Sequence, residues 1–151
     1  MIYILAPRPP KAAHPVIINI GGSVGNQAAN EPEDVMYVKF LLKTFALCSP
    51  AWNQRANALN LIVDGSSNAQ FRQAIIDFQT LRGERHTPPF GVAGRVSPAS
   101  TTAANWDGDQ TFLGLTYAAK GQCGPNWPMI GTMPACVPAL ATAVRRALTG
   151  N

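Results

Sequence analysis

A chain of 151 residues with 46% hydrophobic and only 13% charged residues has the makings of one packed domain, and its composition excludes a disordered polymer. Its net charge of +4 comes from scattered basic residues, the nearest groups being Arg145-Arg146 and the loose set Arg82, Arg85 and Arg95. Nucleic-acid binders need a basic stripe interleaved with stacking aromatics, so no nucleic-acid partner is expected, while attraction to an anionic polymer or envelope stays compatible with the charge.

No apolar run approaches the roughly 20 residues that span a bilayer, so no membrane span is expected. Met1 to Ala6 is apolar, but too short for a signal core, and no basic residue precedes it. The expectation is a chain made in the cytoplasm without an evident Sec signal, reaching a periplasm or cell wall by some other route. Thirteen glycines and thirteen prolines predict a loop-rich fold.

Residues 1–15 read as a proline-rich arm, extended along the domain. Val16-Ile-Ile-Asn-Ile20, bounded by Pro15 and Gly21, predicts a short strand. After the glycine-rich turn Gly21 to Gly25 comes Asn30-Glu-Pro-Glu-Asp-Val35, the start of a helix. Pro32 suits the first turn, where its missing N–H costs nothing, and Glu31, Glu33 and Asp34 place negative charge at the positive end of the helix dipole. Val35, Val38, Leu41, Leu42 and Phe45 form one apolar face. These acids read as a structural cap, in preference to a catalytic carboxylate pair.

Residues 47–58 predict a loop, and Leu59 to Gly65 a short strand ending in an Asp-Gly turn. A second helix is expected from about Ser67 to Arg82, with Phe71, Ala74, Ile75, Phe78 and Leu81 inward and Gly83 as its stop. Residues 84–100 read as a long loop. Asp109 to Lys120 is a third helix with Asp109 as cap and Phe112, Leu115 and Ala119 inward. From Pro138, the residues Leu140, Val144, Ala147 and Leu148 mark a last helix that Gly150 ends.

Several short motifs stand in a suggestive order: Gly22-Ser-Val-Gly25, Asp34-Val35 with Val38 and Leu41-Leu42, Val63-Asp-Gly65, Ala74-Ile-Ile-Asp-Phe-Gln79, Gly83, and Gly94-Arg-Val-Ser-Pro98. Over about residues 20–117 this resembles the peptidoglycan-binding-like domain, a small three-helix module attached to many cell-wall hydrolases. Lys39 stands where that pattern has Gln, Ser66 to Phe71 replaces its usual Gly-x-x-Thr, and the loop at 84–93 is longer. The resemblance implies a mainly α fold: a three-helix core over residues 16–120 with short flanking strands, and residues 121–151 as a loop and extra C-terminal helix packed on the same domain. It also implies non-catalytic binding of peptidoglycan or a related glycan strand. The alternative is a protein-interaction module, such as an adaptor, immunity protein or effector component of a secretion or phage-tail-like system, that keeps the fold without the glycan.

The chain offers little for catalysis. Its two histidines, His14 and His86, lack His-Glu-x-x-His spacing, and no His follows Cys123 to complete a papain-like pair. Neither enzymatic activity nor a cofactor or metal is expected. Cys123 and Cys136 bracket an irregular loop. In an oxidising compartment a disulfide would close it and leave Cys48 free; in a reducing one they are small buried thiols. The disulfide is the expectation. Trp52, Trp106 and Trp127 fall in predicted loops, where each suits a lid on the core or a sugar-stacking face. The candidate glycan-binding group is Trp106 and Asp107 with Arg72, Gln79 and Arg95.

Overall fold

The computed structural model describes residues 1–6, 16–83, 93–102 and 105–150, with side chains of 101–108 excepted. The fold is mainly α. Five α-helices and three two-stranded antiparallel ribbons lie among the described residues. The ribbons pair β1 (Tyr3–Leu5) with β2 (Ile17–Asn19), β3 (Val24–Gly25) with β4 (Arg95–Val96), and β5 (Ala99–Thr102) with β6 (Asn105–Gly108).

The helix α1 (Pro32–Cys48) runs through the middle of the molecule. Its predicted apolar face is there, but Tyr37, Lys39, Phe40, Thr44 and Ala46 are buried as well. A helix that packs against neighbours on every side buries more than one stripe. Those neighbours are α2 (Ala56–Leu59), α3 (Ala69–Leu81), α4 (Gln110–Cys123) and α5 (Pro138–Thr149). One hydrophobic core joins them, and it takes in Ile2 before residue 16 and Ile130, Leu140 and Val144 after residue 120. Phe45, Trp52 and Phe78 meet edge to face, with ring centroids 4.9 to 6.2 Å apart, so Trp52 closes the core.

Asp109 caps its helix as expected, accepting from the Phe112 N–H at 2.9 Å, and Asn68, just inside the expected start of the second helix, accepts from the Phe71 N–H at 2.9 Å. The acids read as the cap of α1 make no side-chain cap bond there; their carboxylates turn to other parts of the chain. Gly150 ends α5 at a φ of 75°, a left-handed position that suits glycine. Leu81, expected inward, is instead exposed at the end of α3.

Two predicted elements are different. The segment read as a strand from Leu59 to Gly65 pairs with no strand among the described residues: a short helical turn, Ala56–Leu59, takes its first residue, and Leu61 and Val63 drop into the core from irregular chain. A strand needs a ladder partner, and here the Leu61 carbonyl is taken by Lys43 Nζ at 2.9 Å while the Asp64 N–H donates to the Ile62 carbonyl. The residue 47–58 loop likewise contains the start of that helical turn. In the long loop, residues 84–92 lie outside the described residues, and its later part forms β4 and the start of β5.

Candidate functional site

The motif residues are used as joints. Val24 pairs with Val96 and Gly25 with Arg95, and Ser23 Oγ lies 2.9 Å from Ser97 Oγ. Gly25 has a φ of 95°, and a Cβ there would stand 2.1 Å from the Gly94 carbonyl oxygen, so only glycine lets the two turns close on each other. The loop after Gly25 wraps around Asn30, whose side chain accepts from the Gly25 N–H and donates to the Gly25 and Ala28 carbonyls.

Asp64 and Gly65 tie the chain to α1. Lys39 Nζ, on a side chain only 1% exposed, meets Asp64 Oδ1 at 2.7 Å. The Lys39 ammonium, with the Ser66 N–H, holds the Asp64 carboxyl below the usual carboxylate range. A Cβ on Gly65 would press on Pro32. Lys39, the departure from the family pattern, thus has a structural partner within the Val-Asp-Gly motif.

Gln79 is 3% exposed and its amide is fully engaged. Its Oε1 accepts from the Gly94 N–H at 2.8 Å, and its Nε2 donates to the Arg95 carbonyl and to Thr111 Oγ1, both at 3.1 Å. It therefore locks α3, the Gly94 turn and α4 together. The polar atoms that Gln79 would offer a sugar hydroxyl are engaged inside the fold. Arg95 adjoins it, with Nη1 on the Gln27 carbonyl at 3.3 Å and a buried Nε without a partner among the described residues. Arg72 lies two turns before Gln79 on α3, half-buried. Trp106 and Asp107 belong to β6, in register with Thr101 and Ser100, but their side chains lie outside what the structure describes. Of the expected group, Gln79 and Arg95 are brought into contact.

The cysteines are not bonded. Cys48, Cys123 and Cys136 are free thiols, Cys123 Sγ donating to the Met129 carbonyl and Cys136 Sγ to the Val137 carbonyl. Burial pushes the Cys123 and Cys136 thiols up, against Arg145 in the second case. The loop expected to need a staple is held in other ways. Trp127 Nε1 donates to the Val16 carbonyl at 2.8 Å, Ile130 enters the core, and turn bonds join Met129 to Asn126, Met133 to Ile130 and Cys136 to Met133.

A second concave site, not foreseen from the sequence, opens where the end of α1 meets the end of α4. It has a volume of about 150 Å³. Its lining combines buried Thr44 and Ala135, half-buried Met133, and exposed Leu47, Cys48, Gln122 and Pro134. The Thr44 hydroxyl is shut off from solvent and has no hydrogen-bond partner among the described residues; the same holds for Tyr37 and Thr116, deeper between the helices. The sequence signal for it is Thr44 itself, a polar residue one turn before Cys48 among the apolar residues Leu41, Leu42, Phe45 and Leu47.

His14 and His86 lie outside the described residues. Among the described residues, no group of three or more His, Cys, Asp or Glu is arranged around a metal position, and no helix is long and apolar enough to cross a membrane. Comparison with protein-family models, with curated proteins and with solved structures found no match.

Proposed function

We propose that the protein is a non-catalytic module that binds cell-wall peptidoglycan or a related glycan, holding a partner or an assembly at the wall. The observation that carries this reading is the ordered set of motifs from Gly22 to Pro98, in which Val24 and Gly25 pair with Val96 and Arg95, Asp64 meets Lys39 on α1, and Gln79 ties α3 to the Gly94 turn and Thr111. That order is the one the resemblance to a three-helix peptidoglycan-binding-like core rests on. The net charge of +4 adds attraction to anionic wall polymers. Arg72 and Arg95, with Trp106 and Asp107, remain the proposed contact group; Gln79 acts behind them by fixing the turn that carries Arg95.

One specific observation favours the second reading, a protein-interaction module that keeps this core without glycan binding. The motif residues Asp64 and Gln79 are engaged inside the fold, so these motifs can persist with no ligand at all. Co-sedimentation with purified sacculi separates the two. Wild type is expected to sediment in part at low salt, less at high salt as exposed charges are screened, and to leave the sacculi uncut. The salt-resistant part is expected to fall in Trp106→Ala. Wild type staying in the supernatant at both salts would favour the interaction module, and sedimentation at low salt alone, identical in the variant, would reduce the binding to charge.

A further inference from the structure

Arg72, Ile76 and Gln79 recur at helical spacing along one face of α3. That face carries the Gly94 turn: a Cβ on Gly94 would stand 3.2 Å from Ile76 Cγ1, and Gln79 Nε2 donates to the Arg95 carbonyl at 3.1 Å. Arg72 and Arg95 therefore flank one junction, where α3 meets the ribbon of β3 and β4.

Neither arginine has an acidic partner among the described residues. The Arg72 guanidinium makes no hydrogen bond there either, and it is not shut off from solvent. Arg95 spends Nη1 on the Gln27 carbonyl, its Nε is buried without a partner, and its Nη2 stays unbonded and open to solvent. A guanidinium is a planar fork of N–H donors that keeps its charge, and its strong partners are carboxylates and phosphates. Burial of Nε takes part of the Arg95 charge away from water, and an anion at Nη2 meets that same delocalised charge. The neutral group suited to a sugar hydroxyl, the Gln79 amide, is engaged inside the fold. The side chains open at this junction thus select a negative group over a neutral one.

In peptidoglycan the N-acetylated sugar chain is neutral wherever its lactyl carboxyl groups are amide-bonded to stem peptides. The free carboxylates are on the peptides. We propose, resting on the wall-binding reading, that Arg72 and Arg95 bind carboxylates of the stem peptide, so that this site recognises the peptide part of the wall and not its sugar chain.

The probes are a synthetic stem tetrapeptide with free carboxylates, the same peptide with its carboxylates amidated, an N-acetylglucosamine oligomer, and inorganic phosphate. Each is titrated against the full chain and followed by backbone amide shifts and by the arginine side-chain Nε–H signals. The free-carboxylate peptide is expected to give saturable shifts at Arg72, Gly94 and Arg95. It should bind about tenfold tighter than the amidated peptide, the worth of one charge-assisted hydrogen bond. The sugar oligomer should leave those signals in place. Arg72→Gln, whose side chain takes no bond from the described fold, should weaken the peptide about tenfold with the thermal midpoint unchanged. Equal affinity for the two peptides, or unaltered affinity in Arg72→Gln, would overturn the proposal. Phosphate binding as tightly as the peptide would reduce the junction to a general anion site and overturn it as well. Sedimentation with sacculi but no response to the peptide would remove this proposal and leave the wall-binding reading standing. Peptide binding without sedimentation would keep the carboxylate site and remove that reading. The comparison of the two peptides needs only the wild-type chain.

Discussion

At the start of α1, Glu31, Glu33 and Asp34 each reach a partner from a distant part of the chain, whereas further along the same helix Tyr37 and Thr44 carry buried hydroxyls with no partner among the described residues. Asp34, fully buried, accepts from the Gly21 and Gly22 N–H groups at 3.1 and 3.0 Å. Glu33 takes the Ile2 N–H and the Arg146 guanidinium, and Glu31 the Met1 amino group. Charge at this end fixes where the first ribbon, the glycine turn and α5 sit. Further along, apolar packing and two charged donors, Lys43 on the Leu61 carbonyl and Arg55 on the Ala46 carbonyl, do the fixing, and the Tyr37 and Thr44 hydroxyls are left without a part in it. The difference separates polar groups that specify the structure from polar groups whose presence the structure alone does not explain.

The comparison breaks first at Asp34, where the largest effect is expected. Asp34→Ala removes the acceptor of two turn N–H groups at once, and bonds to a charged group contribute about 1.5–3 kcal/mol each. Partial exposure of the turn reduces that sum, so a loss of about 3 kcal/mol is expected, a fall of roughly 6–12 °C in the thermal midpoint. Asp34→Asn, which retains one acceptor oxygen, should lose less. Equal midpoints for wild type and Asp34→Ala would show that the acids only start the helix.

At the far end the sign reverses. Thr44→Val removes a buried hydroxyl that has no partner and keeps the volume, so the midpoint should rise by about 2–4 °C, corresponding to about 1 kcal/mol. Tyr37→Phe should act in the same direction, since its hydroxyl is likewise buried with no partner among the described residues. A fall in both variants would mean that the hydroxyls are satisfied in solution, and the contrast between the two ends of α1 would disappear.

These two ends were not equally legible. Pro32 with its acids and Asp109 at helix starts and Gly150 at a helix end are local signals, and local chemistry decides them. What the acids bind was not legible, because the Gly21 N–H, the Ile2 N–H and Arg146 are brought to them only by tertiary folding. Periodicity likewise put Lys39 off the apolar face, although it lies buried against Asp64; nothing local announces that α1 is covered on all sides. Leu59 to Gly65 misled for the converse reason: alternating apolar residues suit a strand, but among the described residues no strand pairs with it. In the candidate site, Gln79 stood out as a motif residue, yet the same motif pattern serves a ligand contact and an internal joint equally well. Thr44 gave no motif at all, because an unsatisfied hydroxyl is a property of the packed interior.

The smallest expected effect sharpens the charged end, and it is visible only as a function of pH. Burial works to raise the Glu33 carboxyl, but hydrogen bonds from Arg146 and the Ile2 N–H, with the nearby positive charges, outweigh it and hold the group below the ordinary glutamate value of 4.5. A carboxyl lowered on folding contributes stability above its unfolded value and loses that contribution as pH falls through its folded value. Asp109 has the opposite sign, because burial, only partly offset by the Phe112, Ser97 and Thr111 groups, raises it, and its protonation therefore favours the folded state in acid. The pH profile of the wild type mixes the two, so the informative quantity is the midpoint difference between wild type and Glu33→Gln, in which Asp109 cancels. That difference should be about 2 °C in favour of wild type at neutral pH, modest because the Arg146 side chain is 35% exposed and the pair is screened. It should close as pH falls below 4.5, the point at which Glu33 begins to protonate in the unfolded chain. A difference that stays constant from neutral pH down into strong acid would mean that Glu33 acts through packing or neutral hydrogen bonding, and its charge would then have no part in seating α5 against the start of α1.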